Sequence, residues 1–467
     1  MKWKLMEIIE TTGATPSTLP EGHLTLKGIS TDSRTIRDGE LFVALKGPRY
    51  DGHQFIKVAL SKGAAAILAQ DPTTITDEVP HLFVPDTLSA YGNIAKSYRK
   101  KLKAKIIAIT GSMGKTSTKD MAFSILSRKY KATKTDKNEN NRVGVPKTLL
   151  SISPDTDIAV IELGSNIPGE IALLTEIVRP DRALITNIAP VHLEQFVSLE
   201  GVRVEKSSLF WRTPSNTLRF INKDDPEIQK IPGIPGWPTT SFATEGKADV
   251  EASHIEPLGL KGTRFTLFTN GEGVEITLPL IGIHQVRNAV AAATLGIAEG
   301  ISLSHIKDAL ESYRPASGRL EPIYTKSECI ILNDTYNANP VATAMAIKTL
   351  AMFNRSHITI AILGDMLELG EKAEIYHKEI GAECAKNDIK LLCITGAYSE
   401  FIRKGAIEKG LDKKRAFTFK DKVQLLKHLA TYLKEKSMIL IKGSNALNME
   451  RWVKVIQTHI DKQGGHA

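Results

Sequence analysis

Apolar positions in this chain fall into short runs, and the pattern joining them changes character twice. From Ile106 onward, the runs Ile106–Ile109, Ile158–Leu163 and Ala183–Ile188 are separated by stretches of helical periodicity. That is the pattern of parallel strands with helical crossovers. Between Asp249 and Ile281 apolar and polar residues alternate around Asn270-Gly271-Glu272-Gly273, which predicts antiparallel hairpins appended to the α/β core. Alanine-rich Ala289–Ala298 returns to helix. Beyond Arg314 the first pattern resumes, with runs at Ile330–Leu332, Ile358–Leu363, Leu391–Ile394, Ala416–Phe419 and Met438–Ile441, and predicts a doubly wound α/β domain. Toward the N-terminus, Leu41–Leu45 and Ala64–Leu68 read as strands and Phe55–Ser61 as helix, with a turn-rich loop over Gly47–His53. The basic stretch Arg99–Lys103 reads as an exposed helix end and a linker.

For 467 residues, a prior of ~150 residues per domain predicts about three domains. The pattern places them at 1–103, 104–315 and 316–467. No internal repeat or low-complexity tract is evident. A hydrophobic fraction of 42% and a charged fraction of 24% are those of a soluble globular protein. The net charge of +9 is spread along the chain, and aromatics are only 6%, so a nucleic-acid-binding role is disfavoured. Cys329, Cys384 and Cys393 are too scattered for a disulfide framework or a zinc site and read as small core residues. Glu7 and Glu10 follow Lys2 and Lys4 before any long apolar stretch, which is not a secretory leader. No apolar run approaches the ~20 residues of a membrane span. A cytoplasmic, monomeric protein without membrane insertion is expected.

The strongest chemical signal is Thr110-Gly111-Ser112-Met113-Gly114-Lys115-Thr116-Ser117, a glycine turn between a strand and a helix. Its backbone N–H groups suit an anion, Lys115 suits the outer phosphates of ATP, and the Thr116 hydroxyl suits Mg²⁺. The usual phosphate loop has a glycine five residues before Gly114; here that residue is Ile109, and Gly111 makes the loop shorter. Glu162 ends a strand and is a candidate metal ligand, because strand C-termini open on the ligand crevice. His192 follows the next strand and could meet a second metal or a substrate.

Taken together, these residues resemble the Mur ligase family of amide-bond synthetases. The likeness rests on Thr110–Thr116, Asn140-Asn141-Arg142-Val143-Gly144-Val145-Pro146, Glu162-Leu163-Gly164, His192-Leu193-Glu194, Gly282–Ala289, Ser317–Glu321 and Asp334–Pro340. Within the family, further marks point to one member. They are Asp32-Ser33-Arg34, Phe42–Gly47, the Tyr336-Asn337-Ala338-Asn339-Pro340 string, Gly364–Gly370 with His377, and Lys442-Gly443-Ser444. That member joins D-alanyl-D-alanine to a UDP-N-acetylmuramoyl-tripeptide at the expense of ATP.

The resemblance implies a small α/β UDP-binding domain, a central ATPase domain and a C-terminal Rossmann-like domain. It also implies catalytic roles for Lys115, His192 and Lys206. Two Mg²⁺ ions would be held by Thr116, Glu162, His192 and a carbamylated Lys206. Relatives often have an acidic residue two positions beyond that lysine; this chain has Ser208. His284, Gln285, Asn288, Arg319 and Asp334 would contact the nucleotide, with Gln285 standing where relatives commonly have Asn. Ser33, Arg34, Lys46, Arg49, His53, Asn140, Asn141, Asn337 and Asn339 would contact the other substrates. Rival readings are a sibling ligase adding a single amino acid, a folylpolyglutamate synthetase-like ligase, a kinase or motor NTPase, and an inactive binding paralogue.

Overall fold

The computed structural model describes residues 2–18, 24–47, 50–74, 79–315, 317–326, 328–434 and 436–463. Three sheets organise them. The first has five strands in the order Thr15–Pro16, His81–Phe83, Ala66–Ala69, Glu40–Val43, Gly28–Ser30, antiparallel at the first pair and parallel after it. The helix Thr87–Arg99 follows, started by the Asp86 carboxylate, which accepts from the amides of Leu88 and Ser89. Arg99 does not end in solvent as the basic run suggests. Its side chain is 12% exposed and donates to the Val178 carbonyl at 2.9 Å and to Asp181 Oδ2 at 2.9 Å. This contact ties the first sheet unit to the second.

The central sheet has nine strands. Ala132–Lys134, Ile158–Glu162, Lys105–Thr110, Arg182–Ile185, Leu218–Asn222, Thr239–Ala243 and Val250–Pro257 run parallel, and Thr263–Thr269 and Glu272–Leu278 complete the edge antiparallel. The hairpin region is therefore continuous with the parallel sheet, because Val250 and Glu251 pair directly with Phe242 and Ala243. Its apolar residues face the long helix Ile283–Ala298, whose alanines let it pack closely on the phosphate-loop helix Lys115–Leu126. The third sheet has six strands in the order Glu321–Tyr324, Ile330–Asp334, Ser437–Lys442, Ile358–Leu363, Leu391–Ile394, Ala416–Thr418. All pair in parallel except the first, an antiparallel edge that the apolar runs did not mark. The three cysteines are buried. Among the described residues no helix is long and apolar enough to cross a membrane.

Candidate active site

Strand ends and helix starts of the central sheet open on a cleft of about 750 Å³, which the start of the third sheet unit closes from the opposite side. The phosphate loop forms its floor. Gly111 (φ 144°) and Gly114 (φ 75°) are required there. A Cβ on the first would collide with Thr186 Oγ1 and one on the second with the Asn288 carboxamide. The Ser112 amide donates to the Asn187 carbonyl at 2.9 Å and the Met113 amide to Asn187 Oδ1 at 3.0 Å. These two donors thus turn to the protein. The start of the helix Lys115–Leu126, with its positive dipole end, is what faces the cleft. Thr110 lies beneath, its hydroxyl donating to the Leu163 carbonyl at 2.7 Å.

A compact polar cluster sits over that helix start. Thr116 Oγ1 donates to Glu162 Oε2 at 2.9 Å and accepts from Arg319 Nη2 at 2.9 Å. Asn140 Nδ2 donates to Glu162 Oε1 at 2.8 Å. Lys119 Nζ stands 3.6 Å from Glu162 Oε2, with both side chains almost wholly buried. Sequence reading missed Lys119; its one signal is its position a helical turn after Thr116. Lys115 folds back, donating to the Gly111 carbonyl at 2.7 Å. Burial lowers its pKa, Glu162 opposes that shift, and Arg319 adds to it.

His284, Gln285 and Asn288 line the wall opposite, with Asn288 Nδ2 donating to Gln285 Oε1 at 3.1 Å. Burial takes the His284 pKa down to about 4, so the ring is neutral at ordinary pH. Asp334 pairs with Lys442 at 2.6 Å, and the Arg319 guanidinium lies 3.9 Å from the Tyr336 ring centroid. A phosphate-loop helix, a strand-end carboxylate and an arginine from beyond the central sheet thus meet in one cleft.

Known proteins resemble this chain over most of its length. Residues 25–109 match the Mur ligase family catalytic domain, 109–296 the Mur ligase middle domain, and 318–445 the Mur ligase glutamate ligase domain. The UDP-N-acetylmuramoyl-tripeptide–D-alanyl-D-alanine ligase of Escherichia coli (strain K12) is 37% identical over 94% of this chain and 95% of its own. A crystal structure of MurF from Acinetobacter baumannii superposes with TM-score 0.88 at 31% identity, covering 98% of this chain and 99% of that one. The MurF ligase of Thermotoga maritima in complex with ADP superposes with TM-score 0.84 at 27% identity, covering 93% and 98%. This chain belongs to the Mur ligase family.

Other residues of this Mur ligase that the sequence singles out are placed as follows. His192 lines the cleft, in left-handed backbone (φ 50°), with Nδ1 on Glu368 Oε2. Lys206 lies deeper, 1% exposed, with Nζ 2.6 Å from Ser165 Oγ and 5.7 Å from the Phe196 ring centroid. Burial first, and the Lys115 charge second, lower its pKa to about 7. Asn141, Asn337 and Asn339 also line the cleft, but their side-chain oxygens serve the backbone. Asn141 accepts from the Val143 and Gly144 amides, Asn337 from Ala338, and Asn339 from Ala342 as a helix cap. Ser33, Arg34, Lys46 and His53 stand apart from the cleft lining. Arg34 is exposed and pairs with Asp32 at 2.7 Å, and Lys46 lies 3.8 Å from Asp51. His53 is held by Asp51 at 2.5 Å and by the Gln70 amide at 2.9 Å. Arg49 lies outside the described residues.

The donor set suits one Mg²⁺ without change. Thr116 and Glu162 offer hard oxygens 2.9 Å apart beside the phosphate loop, and Mg²⁺ takes one or two protein oxygens plus substrate phosphates and waters. Around His192 and Lys206 the fit depends on modification. Among the described residues no group of at least three His, Cys, Asp or Glu side chains converges for a metal, and an unmodified lysine offers a cation no oxygen.

Proposed function

We propose that this chain joins D-alanyl-D-alanine to UDP-N-acetylmuramoyl-tripeptide, with ATP cleaved to ADP and phosphate, as a cytoplasmic step of peptidoglycan synthesis. The observation that carries this reading is the full-length likeness to ligases of that name, with the nucleotide-side cluster Lys115, Thr116, Glu162 and Arg319 assembled at one cleft.

A carboxylate resists amine attack because it is anionic and lacks a leaving group. Its oxygen takes the γ-phosphoryl of ATP, the bond to the β-phosphate oxygen breaks, and an acyl phosphate with a good leaving group results. The dipeptide amine then adds to the acyl carbon, loses a proton, and phosphate leaves. The residues position and neutralise. Lys115 swings from its loop carbonyls to the phosphates. Thr116 and Glu162 would hold one Mg²⁺, which would offset phosphate charge. Arg319 leaves Thr116 to meet the nucleotide, while neutral His284, Gln285 and Asn288 flank the base. Lys206, about half of it uncharged near pH 7, adds through Nζ to CO₂ and releases a proton. The resulting carbamate is an anion that suits, with His192, a second Mg²⁺. The UDP end lies toward Ser33, Arg34, Lys46 and His53.

The test is phosphate release assayed against a panel of UDP-muramoyl peptides and amine acceptors. Release is expected only with tripeptide, D-alanyl-D-alanine, ATP and Mg²⁺ together. Equal turnover with a single amino acid in place of the dipeptide would make the chain a sibling ligase.

A further inference from the structure

The motif Gly364–Gly370 has no part in the chemistry above, yet hydrogen bonds anchor it firmly at the cleft. The Gly364 amide donates to the Lys442 carbonyl at 2.8 Å. The Asp365 carboxylate accepts from the Ala397 and Tyr398 amides at 2.7 and 3.0 Å. The Met366 amide donates to His377 Nε2 at 2.9 Å, and the Leu367 amide to Ser444 Oγ at 2.8 Å. What this fixed loop presents is Glu368, in left-handed backbone at φ 64°, a conformation costly for a side chain of this kind. Its carboxylate meets His192 Nδ1, and its carbonyl accepts from the Glu194 amide at 3.2 Å. His192 is itself in left-handed backbone at φ 50°. Gly370, in left-handed backbone at φ 60°, brings the loop alongside the backbone of Leu193 and Glu194. Two unusual backbones, from two different sheet units, are thus held so that one carboxylate touches one imidazole.

We infer that Glu368 is a positioning residue that fixes His192 as the tautomer protonated on Nδ1 and turns its Nε2 toward the cleft. A carboxylate accepting from one ring nitrogen leaves the other as the lone-pair donor and raises its basicity. Among the described residues Nε2 has no hydrogen-bond partner, and His192 lines the cleft. Because Glu368 comes from the third sheet unit, the histidine is oriented only when that unit is docked on the central one. The inference rests on the reading of His192 as a metal ligand.

Mn²⁺ titrated into the full chain saturated with ADP, followed by electron paramagnetic resonance, tests it. The class of bound Mn²⁺ that His192→Ala removes is the reference. Glu368→Ala is expected to weaken that class by about 10- to 100-fold, the usual cost of losing a partner behind a ligating histidine. Glu368→Gln, which keeps an oxygen acceptor, should fall between. His192→Ala combined with Glu368→Ala should be no worse than His192→Ala alone. In Glu368→Ala alone, the KM for ATP should stay within about twofold of wild type. If His192→Ala removes no class, both the ligand reading and this inference fail. If it removes one and Glu368→Ala leaves that class intact, or the two losses add, the positioning role alone is overturned. A raised ATP KM with Mn²⁺ binding unchanged would make Glu368 only a structural latch.

Discussion

Arg319 reaches from beyond the central sheet to donate its Nη2 to Thr116 Oγ1 at 2.9 Å, while that hydroxyl donates onward to Glu162. The arginine therefore caps the site where the first Mg²⁺ and the γ-phosphoryl are proposed to sit. A charged donor to a phosphate contributes ~1.5–3 kcal/mol, so Arg319→Ala should lower kcat/KM for ATP about 10- to 100-fold. Arg319→Lys should recover only part of this. It keeps the charge but loses the planar fork and the stack on Tyr336. Steady-state kinetics at varied ATP decide it; kinetics within twofold of wild type would remove Arg319 from the nucleotide site.

Lys115 presents a sharper case. Its ammonium rests on the Gly111 and Ser112 carbonyls and is free to be drawn off by a phosphate. A charge aimed at the transferring group acts mainly in the transition state, where losing one such contact costs ~2.7–4 kcal/mol. Lys115→Ala should thus cut kcat by about 100- to 1000-fold with an unchanged far-ultraviolet circular dichroism spectrum. Turnover near wild type at saturating ATP is the outcome that sinks the phosphate role.

Where the base is proposed to bind, Asn288 has two attachments. It donates to Gln285 Oε1, and its carboxamide packs where Gly114 lacks a Cβ. Base contacts serve ground and transition states alike, so their loss raises KM more than it lowers kcat. Gln285→Ala should raise the ATP KM, and Asn288→Ala should raise it more, because the glycine turn of the phosphate loop also loses its wall. An unchanged ATP KM in both variants would place the base elsewhere.

What the sequence discloses here is what local pattern controls. The phosphate loop, the third-unit strand runs from Ile330 to Ile441 and the helix through Ala289–Ala298 all follow from periodicity and turn residues. The short parallel strand Thr239–Ala243 and the antiparallel edge Glu321–Tyr324 do not, since each is specified by its neighbour rather than by its own run. Arg99 misleads for the same reason: the acceptors that bury it, Val178 and Asp181, are distant in sequence. Arg219 carries no motif at all. It is wholly buried only because carbonyls at Phe210, Pro214 and Thr217 turn toward it and Trp237 stacks on it at 3.7 Å. The pairing of Glu368 with His192 is equally silent in sequence, where 176 positions separate them.

Lys206 joins sequence, burial and chemistry most directly. Burial and the neighbouring Lys115 bring its pKa from 10.5 to about 7. The shift favours the neutral amine, and only the neutral amine adds to CO₂. The sign follows: carbamylation should rise as pH increases through about 7 and fall below it, with roughly a tenth of the amine neutral one unit lower. Chain equilibrated with ¹³C-bicarbonate should show a carbamate carbon signal that follows this pH course and is missing in Lys206→Ala. That variant should be almost inactive, since the proposed second metal position would lose its anion. Acetate or formate should partly restore its turnover by filling the vacated space. Lys206→Arg should resist rescue, because its own cation stays in the site. Retention of most activity in Lys206→Ala, with no carbamate signal in wild type at pH 8, would leave Lys206 as a buried structural amine bonded to Ser165.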